Sequence, residues 1–540
     1  MYLLHHDNIL ANTAIRITLT TLFFCRRSRS STMKNTFLFF FLFLIVLQTN
    51  CTPTPPPQNV LCQTKPEICG NHTDDNCDGM IDEDCPWYIR IHGKISSQHV
   101  KLSPDHTFSI LYGFAFGKLD ANQHSFHCEE GVGFSWMIKV SYTGKTEWSY
   151  SFPCGSQMGI EALDIDERGN VYLAVDISDG KINVASSVLS IEKTKDERHH
   201  YVLQFSPEGK PSWAIPMKGA FLQVADLKSF SANAQTDSIT LVGSYRKSLS
   251  MQGKEINSPL NTDMTFAAKL QADGKVLWLK NLFDEKLKTL VLYPQATIAS
   301  ISSMGHLLIH TLQVDESSGQ PLFPAQSFLF SLNDMGEIKW SFSFHLRLST
   351  ITQIHSISEN IFLAFFSFGQ ETELLGTLWT PHPLPPPLEI LPSNDVLALR
   401  VKSSGEVIDS KHIGGDDSDY ATSLKQKDEI FSLVSSKYTY TPPSFGAEQP
   451  KWLQKSASNE TKHVWFLAKM NEKKEQYTGF LPIDPLLQNL QKETGTQGLQ
   501  PEGVYGRSQN LYYTLFSNRV FQRERRLNEQ TWLWGRFRLE

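Results

Sequence analysis

Alternating apolar and polar residues recur along the chain after Pro86 and predict short β-strands over its whole length. One recurring segment joins an apolar run to a glycine turn and then to a tryptophan four residues after the glycine. Its clearest copies are FSWMIKVSYTGKTEW, HYVLQFSPEGKPSW, TFAAKLQADGKVLW and FLFSLNDMGEIKW. A period of two marks a strand with one buried face, and glycine supplies the positive φ that a tight hairpin needs. Each copy is therefore predicted to be a β-hairpin.

These hairpins repeat every 62 to 69 residues, with two weaker copies, VLALRVKSSGEVID and VWFLAKMNEKKEQY, after the four clear ones. The turn positions are Gly144, Gly209, Gly274, Gly336, Gly405 and Lys473. The tryptophan positions are Trp148, Trp213, Trp278 and Trp340, continued by Asp409 and Tyr477. We expect each tryptophan to open the return strand and to pack between neighbouring repeats.

A second type of hairpin alternates with the first. Its clearest copy, GIEALDIDERGNVYLAVDI, spans residues 159–177, and six related segments bring the number of copies to seven. Two hairpins per period give about four strands per repeat, which is typical of a β-propeller. WYIRIHG near the start and TWLWGRFRLE at the end both resemble the tryptophan-bearing return strand, so pairing between them would close a ring. We predict an all-β fold, with a propeller of about seven four-stranded blades over 86–540; six and eight blades are the alternatives.

The tryptophan-bearing copies, such as YTGKTEW and ADGKVLW, resemble the propeller repeats of bacterial surface lipoproteins. They are also similar to the tryptophan-docking repeats of pyrroloquinoline-quinone enzymes and of their non-catalytic scaffold relatives. The repeats extend over residues 86–540. The resemblance implies a propeller fold and no particular activity.

The N-terminal 50 residues carry a targeting pattern. Residues 36–47 read TFLFFFLFLIVL, which is short for a membrane span and fits the apolar region of a signal peptide that follows Lys34. We assign residues 1–50 to a leader segment and expect Met33 to be the true start.

Cys51 directly follows this apolar run, as the lipidated cysteine does in a bacterial lipoprotein signal. The preceding residues, Gln48, Thr49 and Asn50, differ from the small residues usual there. We predict a lipid anchor at Cys51 on the bacterial outer membrane or cell surface, with simple secretion as the alternative. The proline-rich segment 51–61 would then act as a semi-rigid tether.

Residues 62–85 form a small acidic segment, CQTKPEICGNHTDDNCDGMIDEDC, that precedes the repeats. Clustered cysteines in an exported protein indicate disulfides. The cysteines expected to be oxidised are Cys62, Cys69, Cys77, Cys85, Cys128 and Cys154. Cys128 and Cys154 flank one predicted hairpin and are expected to pair with each other.

Oxygen-bearing residues alternate within this acidic segment as they do in an EF-hand-type loop, with Gly79 where the loop must turn. The predicted Ca²⁺ ligands are Asp74, Asn76, Asp78, the carbonyl of Met80, and Asp82. Position 12 is Cys85 instead of glutamate, so we expect a weak site. The segment resembles the short Cys/Asn/Asp/Gly metal-binding repeats of bacterial surface proteins. The alternative is a solvated acidic loop held by disulfides.

Charge and motifs limit the possible functions. The formal net charge is −6, so nothing suggests a nucleic-acid binder, and no HExxH, GxSxG, Walker or GxGxxG motif is present. His199 and His200 lie at the start of a predicted strand and are expected to be a loop or edge pair and not ligands. Asp164 and Asp166, which precede a predicted glycine turn, are expected to face water.

The longest irregular segments, 178–198, 247–262, 372–394 and 438–462, share one place in the repeat and would emerge on one face of a propeller. Elaborated loops on one face often form a binding surface. We therefore expect a non-catalytic binding or scaffold module whose partner is an envelope protein or polysaccharide. The alternatives are a propeller enzyme, either a quinoprotein-like dehydrogenase or a lyase, and a purely structural component of the envelope.

Overall fold

Strands dominate the computed structural model, which contains 35 strands and one α-helix within the residues that it describes. These residues are 85–155, 158–177, 180–184, 187–191, 199–219, 229–233, 238–258, 263–282, 291–301, 307–314, 325–333, 335–346, 350–358, 361–368, 372–374, 377–379, 395–414, 419–426, 429–438, 444–445, 462–471, 476–496, 499–508, 511–517 and 530–538.

In the first half of the chain the strands are β1 (Trp87–Leu102), β2 (Phe108–Ala121), β3 (His124–His127), β4 (Gly133–Ser141), β5 (Thr146–Ser151), β6 (Met158–Ile165), β7 (Val171–Ile177), β8 (Gly180–Val184), β9 (Ser187–Ile191), β10 (His199–Phe205), β11 (Pro211–Gly219), β12 (Ser229–Asn233), β13 (Ser238–Arg246), β14 (Ser248–Met251), β15 (Lys254–Asn257), β16 (Asp263–Gln271) and β17 (Val276–Asn281).

In the second half they are β18 (Val291–Ile301), β19 (Leu307–Val314), β20 (Ala325–Leu332), β21 (Ile338–Leu346), β22 (Thr350–Ser358), β23 (Ile361–Phe368), β24 (Thr372–Leu374), β25 (Thr377–Trp379), β26 (Asp395–Lys402), β27 (Val407–Gly414), β28 (Asp419–Gln426), β29 (Glu429–Tyr438), β30 (Ser444–Phe445), β31 (Lys462–Asn471), β32 (Gln476–Pro482), then helix α1 (Asp484–Thr494), β33 (Gln500–Ser508), β34 (Leu511–Ser517) and β35 (Gln530–Arg538).

Antiparallel pairing divides these strands into seven groups of four, which we call quartets. In order of pairing, quartets 1 to 7 are β1-β2-β4-β5, β6-β7-β10-β11, β12-β13-β16-β17, β18-β19-β20-β21, β22-β23-β26-β27, β28-β29-β31-β32 and β33-β34-β35-β1. The first two strands of every quartet are one of the seven predicted second-type hairpins. The predicted division into two hairpins per repeat is therefore confirmed.

Strand β1 belongs to two quartets. Its residues 87–93 pair with β35, and residues 91–102 pair with β2. Bulges on both sides of Lys94 and Ile95 lie where the strand passes from one partner to the other. The predicted pairing of the two chain ends is confirmed, with one correction: WYIRIHG is the fourth strand of quartet 7, whereas TWLWGRFRLE lies in the third strand and not in a return strand.

The glycine turns share one hydrogen-bond pattern. In quartet 1, Gly144 N–H donates to the Ser141 carbonyl (3.0 Å) and Ser141 N–H donates to the Lys145 carbonyl (2.8 Å). Gly144 has φ 81°, a conformation that glycine adopts at low cost. The same pair of bonds recurs at the turns that contain Gly209, Gly274, Gly336 and Gly405.

The turn of quartet 6 departs from this pattern. Lys469 pairs with Gly479 just before the bulge in this hairpin, as Lys139 pairs with Trp148 in quartet 1. The first pair is ten positions apart in sequence and the second is nine, so the turn of quartet 6 is one residue longer. The prediction that Tyr477 holds the tryptophan position is therefore wrong, because Gly479 holds it.

Successive quartets are connected by contacts of two kinds. Their first strands contact one another in the series β1, β6, β12, β18, β22, β28, β33 and back to β1. Buried apolar clusters fill the spaces between quartets 7 and 1, 1 and 2, and 2 and 3. Because these cores lie between sheets, central strands such as β7 are buried on both faces.

Helix α1 connects quartet 6 to quartet 7 and was not predicted from the sequence. Pro485 lies in its first turn, and Gly495 ends it with φ 66°. Leu487 and Leu490 are buried, and the helix contacts β31. Among the described helices, none has the length and apolar character required to cross a bilayer.

Candidate functional site

The connection between the second and third strands is the elaborated end of the quartets. The extra strands β3, β8-β9, β14-β15, β24-β25 and β30 all lie in this connection. The segments expected to be irregular therefore carry short strands, most of them paired as hairpins. In an antiparallel quartet this connection lies at the end opposite the glycine turns, so the inserted strands and the glycine turns occupy different ends of each sheet.

A disulfide fixes the elaborated end of quartet 1. Cys128 and Cys154 are bonded, with 5.7 Å between their Cα atoms, and 26 residues separate them in sequence. Cys128 lies between β3 and β4, and Cys154 follows β5. The predicted pairing is confirmed, because the two strand ends that carry the cysteines lie side by side.

Some inserted strands extend a neighbouring quartet. Leu249 and Ser250 of β14, in the quartet 3 insertion, pair with the outer strand β11 of quartet 2. Strand β30, in the quartet 6 insertion, likewise pairs with β27 of quartet 5. These additions cover part of an outer sheet edge that would otherwise expose unpaired backbone groups.

A buried polar cluster lies at the elaborated end of quartet 2. His200 Nδ1 is 3.6 Å from Glu161 Oε2, and Asp176 is the register partner of His200 on β7. The residues come from three neighbouring strands, and a bulge in β6 brings Glu161 into the group. His200 is 1% exposed, so the expectation that it sits at a loop or an exposed edge is wrong.

Quartets 1, 3 and 5 have no histidine at the position that His200 holds in quartet 2. His200 lies four residues before Gln204, the last residue before the bulge in the third strand. Four residues before the same bulge, quartet 1 has Ser135, quartet 3 has Thr265 and quartet 5 has Val396. The repeat therefore needs no histidine at this position to fold.

The 3.6 Å between His200 Nδ1 and Glu161 Oε2 is an ion-pair distance, longer than the hydrogen bond through which an acid–base pair passes a proton. The side chain of Glu161 is 13% exposed and is the part of the cluster nearest to solvent. Among the described residues, no group of three or more His, Cys, Asp and Glu side chains is arranged to hold a metal ion. The His200 side chain is fully buried, so Glu161 is the member of the pair that reaches solvent.

The acidic pair near Gly169 has a structural role. Asp166 accepts hydrogen bonds from the backbone N–H groups of Arg168 (2.9 Å) and Asn170 (2.8 Å) and from the Tyr172 hydroxyl (3.0 Å). Asp164 pairs with Lys101 Nζ at 2.7 Å, which joins quartets 1 and 2. Both carboxylates are buried, so the expectation that they face water is wrong.

Most of the residues predicted for chemistry lie outside the described residues. These are Cys51, Cys62, Cys69, Asp74, Asn76, Cys77, Asp78, Met80 and Asp82. Cys85 is disulfide-bonded to a residue outside the described set. Its carbonyl accepts hydrogen bonds from Arg536 Nη2 (3.0 Å) and Nε (3.3 Å), which attaches the end of the acidic segment to β35.

No family model and no curated protein matches the chain. The fold is similar to that of the polysaccharide lyase Uly1, with 11% identity over 83% of this chain and 90% of that one and a TM-score of 0.42. It is also similar to apo prolyl oligopeptidase B from Galerina marginata, with 8% identity over 77% and 46% of the two chains and a TM-score of 0.36. At such identities and TM-scores, the similarities carry no information on activity.

Proposed function

We propose that the chain is an exported, lipid-anchored bacterial surface protein whose seven quartets form the blades of a β-propeller. The propeller acts as a non-catalytic binding or scaffold module. Its partner is an envelope protein or polysaccharide, and a calcium-stabilised loop precedes it.

One repeated contact carries the propeller proposal: the tryptophan of one quartet docks on the glycine turn of the next. The indole Nε1 atoms donate to the carbonyl two residues before each glycine, at 2.6 to 3.0 Å; the pairs are Trp87 with Tyr142, Trp148 with Pro207, Trp213 with Ala272 and Trp340 with Ser403. An identical contact repeated from sheet to sheet favours a constant rotation between them. The contacts from β33 back to β1 support closure of that rotation into a ring.

The elaborated ends support the binding role. In a ring of quartets, the connections between second and third strands all emerge on one face, and inserted hairpins there form an extended surface. The export and anchor parts rest on the apolar run 36–47 and on Cys51. The calcium part rests on the spacing of oxygen ligands in 62–85.

A face-specific substitution experiment tests the binding role. We would measure binding of the chain without residues 1–50 to purified envelope polysaccharide and to envelope protein fractions. The test variant replaces three exposed residues at the elaborated ends, His127, Lys254 and Glu255, with alanine. The matched control replaces three exposed residues in the glycine turns, Lys145, Lys275 and Met335.

We expect the test variant to lose binding roughly 10-fold or more and the control to bind like the parent chain. Equal binding by both variants would reject the elaborated face as the binding surface. No binding by the parent chain to any fraction would reject the binding role and leave a purely structural one.

The buried cluster favours a second candidate, a propeller enzyme, because it places an imidazole 3.6 Å from a carboxylate that is partly exposed to solvent. Acidic polysaccharides and quinone with Ca²⁺ are the substrate and cofactor to assay first. If the chain is an enzyme, His200→Gln should abolish turnover. Its free energy of unfolding should stay within about 1 kcal/mol of that of the parent chain. Absence of turnover under all of these conditions favours the binding module.

A further inference from the structure

The insertion of quartet 1 reaches the part of β1 that closes the proposed ring, residues 87–93, which we call the closing strand. The end of β2, residues 118–121, forms a hairpin with β3. We call this hairpin, residues 118–127, the strap. Its first arm pairs through residues 119–121 with residues 91–93 of the closing strand, which pair on their other edge with β35. The strap and β35 therefore hold opposite edges of the same strand.

The turn of the strap extends this pairing by one residue. Asn122 N–H donates to the Arg90 carbonyl (3.2 Å), and Arg90 N–H donates to Asn122 Oδ1 (3.1 Å). Asn122 has φ 48°, in the left-handed region that asparagine adopts more readily than most residues. The amide side chain of Asn122 thus bonds the Arg90 backbone as a neighbouring strand would.

The second arm of the strap is attached to the fourth strand of its own quartet. His124 Nδ1 lies 3.1 Å from the Oγ atom of Ser149 in β5. The arm continues to Cys128, whose disulfide partner Cys154 lies three residues after the end of β5. One arm of the strap is therefore bonded to the closing strand, and the other is bonded covalently to quartet 1.

Another insertion connects two quartets in the same way without a disulfide. In quartet 3, β14 pairs with β11 of quartet 2. At the end of β15, the Asn257 carbonyl accepts a hydrogen bond from Asn281 Nδ2 of β17, the fourth strand of quartet 3 (3.1 Å). No cysteine follows Cys154 in the sequence, so the insertions of the later quartets have no such bond. The covalent attachment belongs to the one strap that reaches the closing strand.

We infer that the disulfide between Cys128 and Cys154 is a redox-sensitive latch on ring closure. This inference rests on the ring proposed above. The closing strand must pair with a segment of β35 that is distant in sequence, as the 439 positions between His92 and Thr531 show, and such pairing costs chain entropy. The oxidised strap holds the closing strand on quartet 1, where β35 can pair with it. Cleavage of the disulfide releases the second arm, and the closing strand loses protection together with the strap.

The disulfide can be reached by a reductant through one of its two sulfurs. Cys154 is exposed, whereas Cys128 is buried. A thiolate of a dithiol attacks Cys154 Sγ, the S–S bond breaks, and Cys128 leaves as a thiolate that takes up a proton. The second thiol of the reductant then displaces Cys154. The reductant becomes a disulfide, and the protein gains two electrons and two protons as two thiols.

Hydrogen exchange followed by mass spectrometry tests the latch on the full chain and on Cys128→Ser/Cys154→Ser. Loss of the disulfide destabilises the whole fold, so the measure is the rise in exchange beyond that of 199–219 in quartet 2. We expect this excess to be roughly 5-fold or more in 118–127 and in 87–93, because both segments then open locally. Equal rises in all three segments would overturn the inference, since the disulfide would then act only on the unfolded chain.

Reduction gives a second measurement. Dithiothreitol also reduces the disulfide of Cys85, which lies next to the closing strand, so exchange of 118–127 is the quantity to compare. Dithiothreitol should raise this exchange in the parent chain and leave it unchanged in Cys128→Ser/Cys154→Ser. A parent chain whose strap does not respond to the reductant would contradict the redox-sensitive latch.

A substitution in the turn tests the contact between strap and closing strand without touching the disulfide. Asn122→Gly accommodates the positive φ and removes Oδ1, and it should raise exchange of 87–93 by roughly 3-fold or more. Gln123→Gly, at the exposed neighbouring residue, is the matched control and should leave 87–93 unchanged. An unchanged closing strand in Asn122→Gly would overturn the inference. Fast exchange of 87–93 and 530–538 in the parent chain would instead contradict ring closure itself, so the two failures are distinguishable.

Discussion

The indole Nε1 of Trp148 donates a hydrogen bond to the carbonyl oxygen of Pro207, 2.8 Å away in the next quartet. Lys139 Nζ donates to the same carbonyl at 3.1 Å. Two residues further on, Gly209 lies so close to the indole that a Cβ would be 2.7 Å from Trp148 Cδ2. The glycine thus has two functions, since its φ of 77° forms the turn and its missing side chain makes room for the ring.

Gly209→Ala should destabilise the protein more than a positive φ alone explains. Gly253→Ala is the matched control, because Gly253 has φ 78° and no atom lies within 4 Å of the position that its Cβ would take. The control should cost about 1 kcal/mol from backbone strain, and Gly209→Ala roughly 1–3 kcal/mol more from overpacking against Trp148. Urea denaturation of both variants measures the difference, and equal costs would show that the indole moves aside freely.

Removal of the disulfide in quartet 1 should lower the free energy of unfolding. Cys128→Ser/Cys154→Ser should cost about 3 kcal/mol, because the bond closes a loop of 26 residues in the unfolded chain. Urea denaturation of the double variant gives the value. Peptide mapping of the unreduced parent chain should recover the two cysteines in one cross-linked peptide, and recovery of both as free thiols would reject the bond.

Cys51→Ala should abolish lipid attachment. Cys51 follows the apolar run directly, so cleavage before it would leave the cysteine as the new N-terminus. Metabolic labelling with a fatty acid should tag the parent protein, and Cys62→Ala is the control that should keep the tag. Full labelling of Cys51→Ala, or none of the parent, would contradict the anchor.

Residues 62–85 should bind Ca²⁺ weakly, with a dissociation constant of about 10⁻⁴–10⁻³ M, because the bidentate acid of position 12 is missing. Calorimetry on the chain without residues 1–50 should show heat that Asp78→Ala removes. Glu67→Ala, which lies in the same segment outside the predicted ligand set, is the control. Identical titrations for the parent chain and Asp78→Ala would favour the acidic loop without a metal.

Alkaline pH should destabilise the fold through Tyr245. Burial raises the pKa of Tyr245 to about 12, although its hydrogen bond with Asn281 lowers it in part. Because the folded pKa exceeds the unfolded value of about 10, this stability is complete below pH 10 and is lost as the pH rises through about 12. Ultraviolet titration follows the ionisation of the tyrosines in the parent chain and in Tyr245→Phe. The variant should lack one tyrosine that ionises near pH 12 in the parent chain. Identical curves would contradict the raised pKa.

Local sequence patterns predicted the hairpins, because the residues that form each hairpin lie together in its own two strands and turn. The second-type hairpin at 159–177 and the turn at Gly144 are complete signals within about 20 residues. The packing of Trp148 between quartets was predicted because the tryptophan recurs at the same place in the four clear copies of the repeat.

The buried cluster could not be predicted in the same way. Glu161, Asp176 and His200 are separated in sequence and meet only through strand register and a bulge in β6. A shift of one residue in register moves a side chain to the other face, and the bulge leaves no distinct sign in the sequence. The position of Gly479 was missed for a related reason, because one extra residue in a turn displaces every later position.

The two pairings of β1, with β2 and with β35, become possible at different times during synthesis. Among the described strands β1 is synthesised first, yet β35, the partner of its residues 87–93, is synthesised last. The His92–Thr531 hydrogen bond between them spans 439 positions. Throughout translation, half of β1 is an edge without a partner, while quartets 1 to 6 can assemble one after another. Residues 87–93 therefore present an unpaired strand edge until β35 has been made, and quartet 7 can assemble only after that.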